Sequence, residues 1–310
     1  MTETMQLRPM EPADRSEVAE LICVSMNYGF LSRGMPPRFT GGAEASSVFF
    51  DVYEKLDPGC GVVAVNPQSG RLMGSCFFHP RSTHVSVGIM NVHPNYLGQG
   101  VARAMLGRII DQAEAVGKPL RLVGSAMNLD SFSLYTRAGF VPRRAYQDMF
   151  VQVPEQGLNG GVPGMEHVQE ATVDDVDSMV ALERELIGIE RAQDFRYCLE
   201  NADGSWHASV YRGDAGGLEG FMISSAHPGC NMLGPGLARS EQQAAALVLS
   251  ELNHHRGRRP IVLVPVDSPE LVRQMYRLGA RNCEMHFYQT RGNCPPPGGV
   301  HFPTFLPETG

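Results

Sequence analysis

Val92-His93-Pro94-Asn95-Tyr96-Leu97-Gly98-Gln99-Gly100-Val101-Ala102 is the stretch on which the fold of this 310-residue chain turns. Ahead of it, His84 to Val92 reads as a strand. Behind it, Ala102, Met105, Leu106, Ile109, Ala113 and Val116 fall on one helix stripe, which Gly117 closes. A strand, a glycine turn and a helix start together gather unpaired amides at the positive end of a helix dipole, and glycine lets an anion come close to the backbone. Such a place suits a pyrophosphate. Taken alone, the pattern is equally an ordinary turn before a helix.

The neighbouring segments extend the same unit in both directions. Leu7-Arg8-Pro9 reads as a short strand, Asp14 to Met26 as a helix with Val18, Leu21 and Ile22 at helical spacing, and Ala43 to Lys55 as a second helix. Gly61 to Val65, Arg71 to Phe78 and His84 to Val92 are strand-like runs with turn residues between them, an antiparallel meander. Downstream, Leu120 to Ala126 reads as a strand, Asp130 to Arg137 as a short helix and Tyr146 to Val153 as a last strand. Pro154 to Glu166 holds two prolines and four glycines without apolar periodicity, the composition of an exposed connection between domains.

Past that connection the first half is echoed. Leu7 to Asp14 returns as Val168 to Asp175, Leu97-Gly98-Gln99-Gly100 as Leu233-Gly234-Pro235-Gly236, and Ala138-Gly139-Phe140 as Leu278-Gly279-Ala280, in the same order. Two copies of one α/β unit follow: residues 1–153, a linker at 154–166, and a diverged copy at 167–291. Residues 292–310, with Pro295, Pro296 and Pro297 in a row, are expected to be irregular, with Phe302 and Phe305 pinning them to a neighbouring surface.

Composition narrows the functional classes. Hydrophobic residues at 43% and charged residues at 19% are globular values. A net charge of -7 gives no general attraction to nucleic acid or anionic membrane. No run approaches the roughly 20 apolar residues of a membrane span, and Met1 to Met10 has the pattern of neither a signal nor a transit peptide. A soluble, cytoplasmic protein is expected. The seven cysteines are scattered and never form a Cys-x-x-Cys pair, so neither a disulfide framework nor a metal site is expected. His254, His255, Arg256, Arg258 and Arg259 form one basic patch, which a solvated loop at a helix end explains as well as a phosphate site does.

A second motif gives the glycine turn its meaning. Asn128, Ser131, Tyr135, Gly139 and Phe140 stand at the spacing Asn-x-x-Ala/Ser-x-x-x-Tyr-x-x-x-Gly-Phe. With Gly100 and Ala102 in a Gln/Arg-x-x-Gly-x-Gly/Ala loop, this resembles the GNAT superfamily of acetyl-CoA-dependent N-acetyltransferases. The likeness is close over residues 7–153 and looser over 167–291. Leu97 stands where Gln or Arg is usual. The resemblance implies two α/β (α+β) domains in tandem, each with a mixed, mostly antiparallel central sheet flanked by helices.

It also implies that acetyl-CoA, as co-substrate, lies against Met90 and Val92, the main chain of Gly98, Gln99, Gly100, Val101 and Ala102, and Asn128 and Ser131. In such proteins the Asn meets the pantetheine arm and the Tyr hydroxyl lies near the sulfur. A phenol, with a pKa of about 10, is protonated at neutral pH, so Tyr135 could protonate the departing thiolate. The alternative is that Tyr135 only packs its helix against the sheet.

The acceptor side is less marked. Ser86 stands where many members of the family carry a Glu on the strand, and His84 is the nearest titratable group on that strand face. His84 could take a proton directly or through water held by Ser86, or be an ordinary, partly exposed strand histidine. His93 is read as a turn residue. Tyr28, Phe30 and Arg33, after the first helix, would help to wall an acceptor pocket. In the second copy, Met275 stands where Tyr135 does and Tyr276 is displaced by one. Pro235 also removes an amide, so that copy is expected to be degenerate. The expected activity is direct acetyl transfer to a primary amine on a small molecule or peptide, by a monomer or homodimer. The alternatives are a non-catalytic CoA-binding regulatory module and an acyltransferase for longer acyl-CoA.

Overall fold

The computed structural model describes residues 5–159 and 161–308. The described residues form two compact units, one of residues 5–80, 84–120 and 306–308, the other of residues 81–83, 121–159 and 161–305.

The first unit contains β1 (Gln6–Pro9), α1 (Arg15–Leu31), α2 (Ser47–Leu56), β2 (Gly61–Val65), β3 (Leu72–Pro80), β4 (Val85–Val92) and α3 (Val101–Ala115). Its four strands pair in chain order, each antiparallel to the next. Alternation along β3 sorts the side chains between two layers of helix. Gly74 faces α3, where an added Cβ would meet Met105 and Val101 at 2.8 Å, whereas Phe77 packs edge-on against Phe50 of α2. On β4, Asn91 accepts from the Ser25 hydroxyl of α1 at 2.7 Å. Val18, Ile22, Val63, Phe77, Met105 and Ile109 are buried between these layers.

One irregularity lies in β4. Cys76 stands opposite Met90 but Phe78 stands opposite Val87, so β4 carries an extra residue. The bulge holds Gly88, where an added Cβ would come within 2.9 Å of His79 Nε2. A glycine inside a strand run is the sequence mark of such a bulge. The first helix also runs further than its periodicity suggested. Tyr28 and Phe30 lie within α1, not after it, because the helix continues through Gly29 to Leu31.

The chain continues through β5 (Leu120–Ser125), α4 (Leu129–Arg137), β6 (Val141–Phe150), β7 (Val168–Glu170), α5 (Val176–Ile187), α6 (Ala192–Glu200) and β8 (Trp206–Arg212). It ends with β9 (Leu218–His227), β10 (Cys230–Ala238), α7 (Glu241–His254), β11 (Ile261–Pro265), α8 (Pro269–Arg277), β12 (Arg281–Arg291) and β13 (Val300–Phe302). In the second unit the sheet order is β5-β12-β6-β11-β10-β9-β8-β7, with β13 beside β10. The closing strands of the two repeats have therefore changed places. β12, from the second repeat, lies between β5 and β6, while β6, from the first, reaches β11.

That exchange sets the limits of the strand that closes the first repeat. The last strand of the first repeat is Val141–Phe150 rather than Tyr146 to Val153. Its polar start, Arg143-Arg144, lacks alternation, but β12 pairs with β6 along its whole length, from Thr290 opposite Val141 to Arg281 opposite Phe150. The stretch 154–166 is anchored, with Val162 buried and the Leu158 amide donating to Asn253 at 2.7 Å; Gly160 lies outside the described residues. Residues 292–310 are not irregular throughout. Val300–Phe302 pairs antiparallel with β10, and Phe302, Thr304 and Leu306 are buried; residues 309–310 lie outside the described part.

Candidate functional site

In the first unit the turn between β4 and α3 is built as its glycines require. Gly98 (φ 75°) and Gly100 (φ 83°) both adopt the left-handed region, and nothing lies within 4 Å of a Cβ added at either. A non-glycine residue there would cost about 1–2 kcal/mol. Gly100 is the N-cap of α3, and among the described residues no side-chain cap bond closes the helix there. The first-turn amides are thus left to face an open, glycine-lined surface, which is what an anion needs. His93 is a turn residue, its Nδ1 accepting from the Asn95 amide at 3.2 Å.

The helix at the matching position of the second repeat is closed. Ser240 caps α7, its hydroxyl accepting from the Gln243 amide at 3.3 Å, and the Gln243 side chain accepts from the Ser240 amide at 3.1 Å. This capping box uses the groups that α3 leaves open. The glycine echo also does not form a turn. Leu233-Gly234-Pro235-Gly236 lies inside β10, where the register with β9 shifts between Leu233 and Gly236.

In the second unit Asn128 is the N-cap of α4, its side-chain oxygen accepting from the Ser131 amide at 3.1 Å. That leaves the amide NH₂ of Asn128 and the Ser131 hydroxyl as the groups open to a ligand. Tyr135 is almost fully buried, its ring centroid 5.9 Å from that of Phe140, and its carbonyl accepts from the Phe140 amide at 3.0 Å. Met275 makes the same backbone bond, to Ala280, at 3.0 Å. Its side chain lies in the apolar core, and Tyr276 points outward to donate to Gln147 at 3.0 Å. The one-residue displacement turns that side chain by about 100°.

Of the two acceptor-side residues in the first unit, His84 differs in exposure from the reading of it as an ordinary strand histidine. His84 precedes β4 and is buried, not partly exposed, and Ser86, also buried, stands opposite His79. The reason is that β4 is covered on both faces by helices, so alternation does not expose either set. Met90 and Val92, after the bulge, are half-buried.

Two further polar groupings lie in the second unit. A cavity of about 230 Å³ is lined by residues that include Trp206, His207, Ser224, His254, His255 and Arg258. Beside it the buried Glu251 accepts from the Ser209 and Ser224 hydroxyls at 2.5 Å and pairs with His207 at 3.0 Å. The basic patch, which a solvated loop explained as well as a phosphate site, supplies part of this wall through His254, His255 and Arg258; His255 is buried against Asn231, while Arg259 stacks on Phe150 at 4.9 Å. Asp148, Glu284 and His286 form the grouping with metal-ligand types and spacing among the described residues. Asp148 pairs with His286 at 2.9 Å, and Glu284 accepts from the Ser125 hydroxyl.

Comparison with known proteins agrees with both repeats. Residues 31–140 match the profile of the acetyltransferase (GNAT) family, and residues 179–291 match that of an acetyltransferase (GNAT) domain. A search of curated proteins returns no match. Among solved structures, a proposed acetyltransferase from Pyrococcus horikoshii superposes with a TM-score of 0.73 at 14% identity, covering 96% of this chain and 92% of that one. A GCN5-related N-acetyltransferase from Sphaerobacter thermophilus gives 0.62 at 20% identity, covering 95% and 96%. A tandem GNAT protein from the clavulanic acid biosynthesis pathway gives 0.60 at 15%, covering 93% and 98%.

Proposed function

The chain belongs to the acetyltransferase (GNAT) family of acyltransferases, with two of its domains in tandem, and from that premise we propose that the first repeat transfers acetyl from acetyl-CoA directly to a primary amine. The observation that carries this is the contrast between helix starts: α3 is open and glycine-lined, α7 is filled by its own capping box. Acetyl-CoA would hold its pyrophosphate at the amides of Gly98 to Ala102 and its arm along Met90 and Val92 and at Asn128 and Ser131.

In the reaction the neutral amine attacks the thioester carbonyl, the C–N bond forms, the C–S bond breaks and the electron pair leaves on sulfur. Tyr135 donates its phenolic proton to that thiolate, a contribution typically worth 10²–10⁴ in rate. His84, by way of Ser86, takes the proton that the acceptor's ammonium form must lose before attack, and the proton shed by the nitrogen as the amide forms returns to the Tyr135 phenolate. The second repeat is degenerate as a catalyst in this reading, since Met275 has no proton to give.

A solved N-myristoyltransferase of Saccharomyces cerevisiae with bound myristoyl-CoA also superposes on this chain, with a TM-score of 0.60 at 9% identity over 96% of this chain and 83% of that one. Longer acyl chains are therefore the second reading. A panel of primary amines, followed by free thiol release from acetyl-CoA and from longer acyl-CoA thioesters, separates the two. Preference for acetyl-CoA supports the first; preference for a long chain replaces it; bound donor with no thiol release for any amine points instead to a regulatory module.

A further inference from the structure

Gln289 of β12 is fully buried, and neither its Nε2 nor its Oε1 has a hydrogen-bond partner among the described residues. A buried donor or acceptor left unmade costs about 1–3 kcal/mol, so an amide lacking both calls for a partner that arrives from elsewhere. Its surroundings say which site that is. A Cβ added to Gly124 on β5 would lie 3.3 Å from Gln289 Nε2 and 3.3 Å from Cε2 of Tyr135. Gly124 thus lets the Gln289 amide and the Tyr135 ring approach the same point of β5.

The strand that carries Gln289 also holds the helix that carries Tyr135. Phe287 packs against Phe132 at 5.5 Å, and the Arg291 Nε donates to the Ala138 carbonyl at 2.9 Å, closing the end of α4. Phe287, Gln289 and Arg291 alternate onto one face of β12, so Gln289 stands between the two anchors, under the proposed acid.

We infer that Gln289, supplied by the second repeat, is a ligand contact in the acyl-donor site of the first, its carboxamide pairing with an amide group in the arm of the bound thioester. This rests on the reading of the donor as acetyl-CoA. A carboxamide offers N–H and C=O together, and the arm of CoA carries secondary amides that offer the same pair. The exchanged strand thus gives a repeat without a catalytic tyrosine a part in the other repeat's chemistry.

The test uses the full chain as wild type and as Gln289→Met, a nearly isosteric change that removes both unmade bonds. Thermal unfolding without ligand and calorimetric titration with acetyl-CoA are measured for each. The expected result is a Tm equal to or above wild type and a Kd for acetyl-CoA raised about tenfold. A Kd within twofold of wild type, with Tm raised, would show a packing residue only and overturn the inference. Should Gln289→Met fold poorly, Gln289→Asn, which keeps the amide but withdraws it by one methylene, is judged by the same criterion. If wild type itself binds no acetyl-CoA, the donor reading fails and the inference with it. If wild type binds and Gln289→Met binds equally, only the inference falls.

Discussion

Gly100, with φ at 83° and open space where a Cβ would go, is a residue whose left-handed turn was legible from its type and place. Gly100→Ala forces a side chain into the left-handed region at about 1–2 kcal/mol in the turn that would hold the pyrophosphate. The expected outcome is a roughly tenfold weaker Kd for acetyl-CoA by calorimetry, since about 1.4 kcal/mol is a factor of ten. The places of Asn128, Ser131 and Tyr135 at the start and along the face of α4 were legible in the same way, because cap and helix spacing are local. Gln289 was not, since what surrounds it is decided by which strand β12 lies beside. The burial of His84 was missed for a related reason: alternation along β4 names two faces, but not that helices cover both.

At the scale of elements, α3 and α7 begin with opposite chemistry, and one substitution separates structure from function. Ser240→Ala removes the cap of α7 at a cost of about 1 kcal/mol; urea unfolding should show that loss while the acetylation rate stays at wild type. A rate that falls with stability unaffected would place chemistry in the second repeat. The capping box is written in Ser240-Glu241-Gln242-Gln243, whereas the glycine echo at Gly234 belongs to β10. Most helices and strands followed their periodicity. The limits of β6 and the pairing of β13 did not, because long-range partners, not local pattern, set the ends of a strand.

Across the whole molecule, buried charge governs how the fold answers pH and substitution. Glu183 and Arg191 are both fully buried and paired, Arg191 Nε donating at 2.8 Å, while burial still pushes the Glu183 carboxyl up. Arg191→Leu strands that carboxylate and should cost about 3–5 kcal/mol in urea unfolding. His255 is buried, and desolvation pulls it down from 6.5 to about 4. Between those values the unfolded chain binds a proton that the folded chain refuses, so stability rises with pH there and is lost as pH falls from 6.5 towards 4. The loss amounts to about 3 kcal/mol; His255→Gln should flatten that acid limb when unfolding is compared at neutral and acid pH. The tandem arrangement itself was legible in the ordered echoes, whereas the exchange of β6 and β12 has no mark in either repeat taken alone. Turnover assigned to the first repeat is the central claim, and kcat for Tyr135→Phe tests it most directly, read as thiol release under saturating acetyl-CoA and amine. The account predicts a fall of about a hundredfold with the Kd for acetyl-CoA little changed; a variant that turns over at the wild-type rate would contradict it.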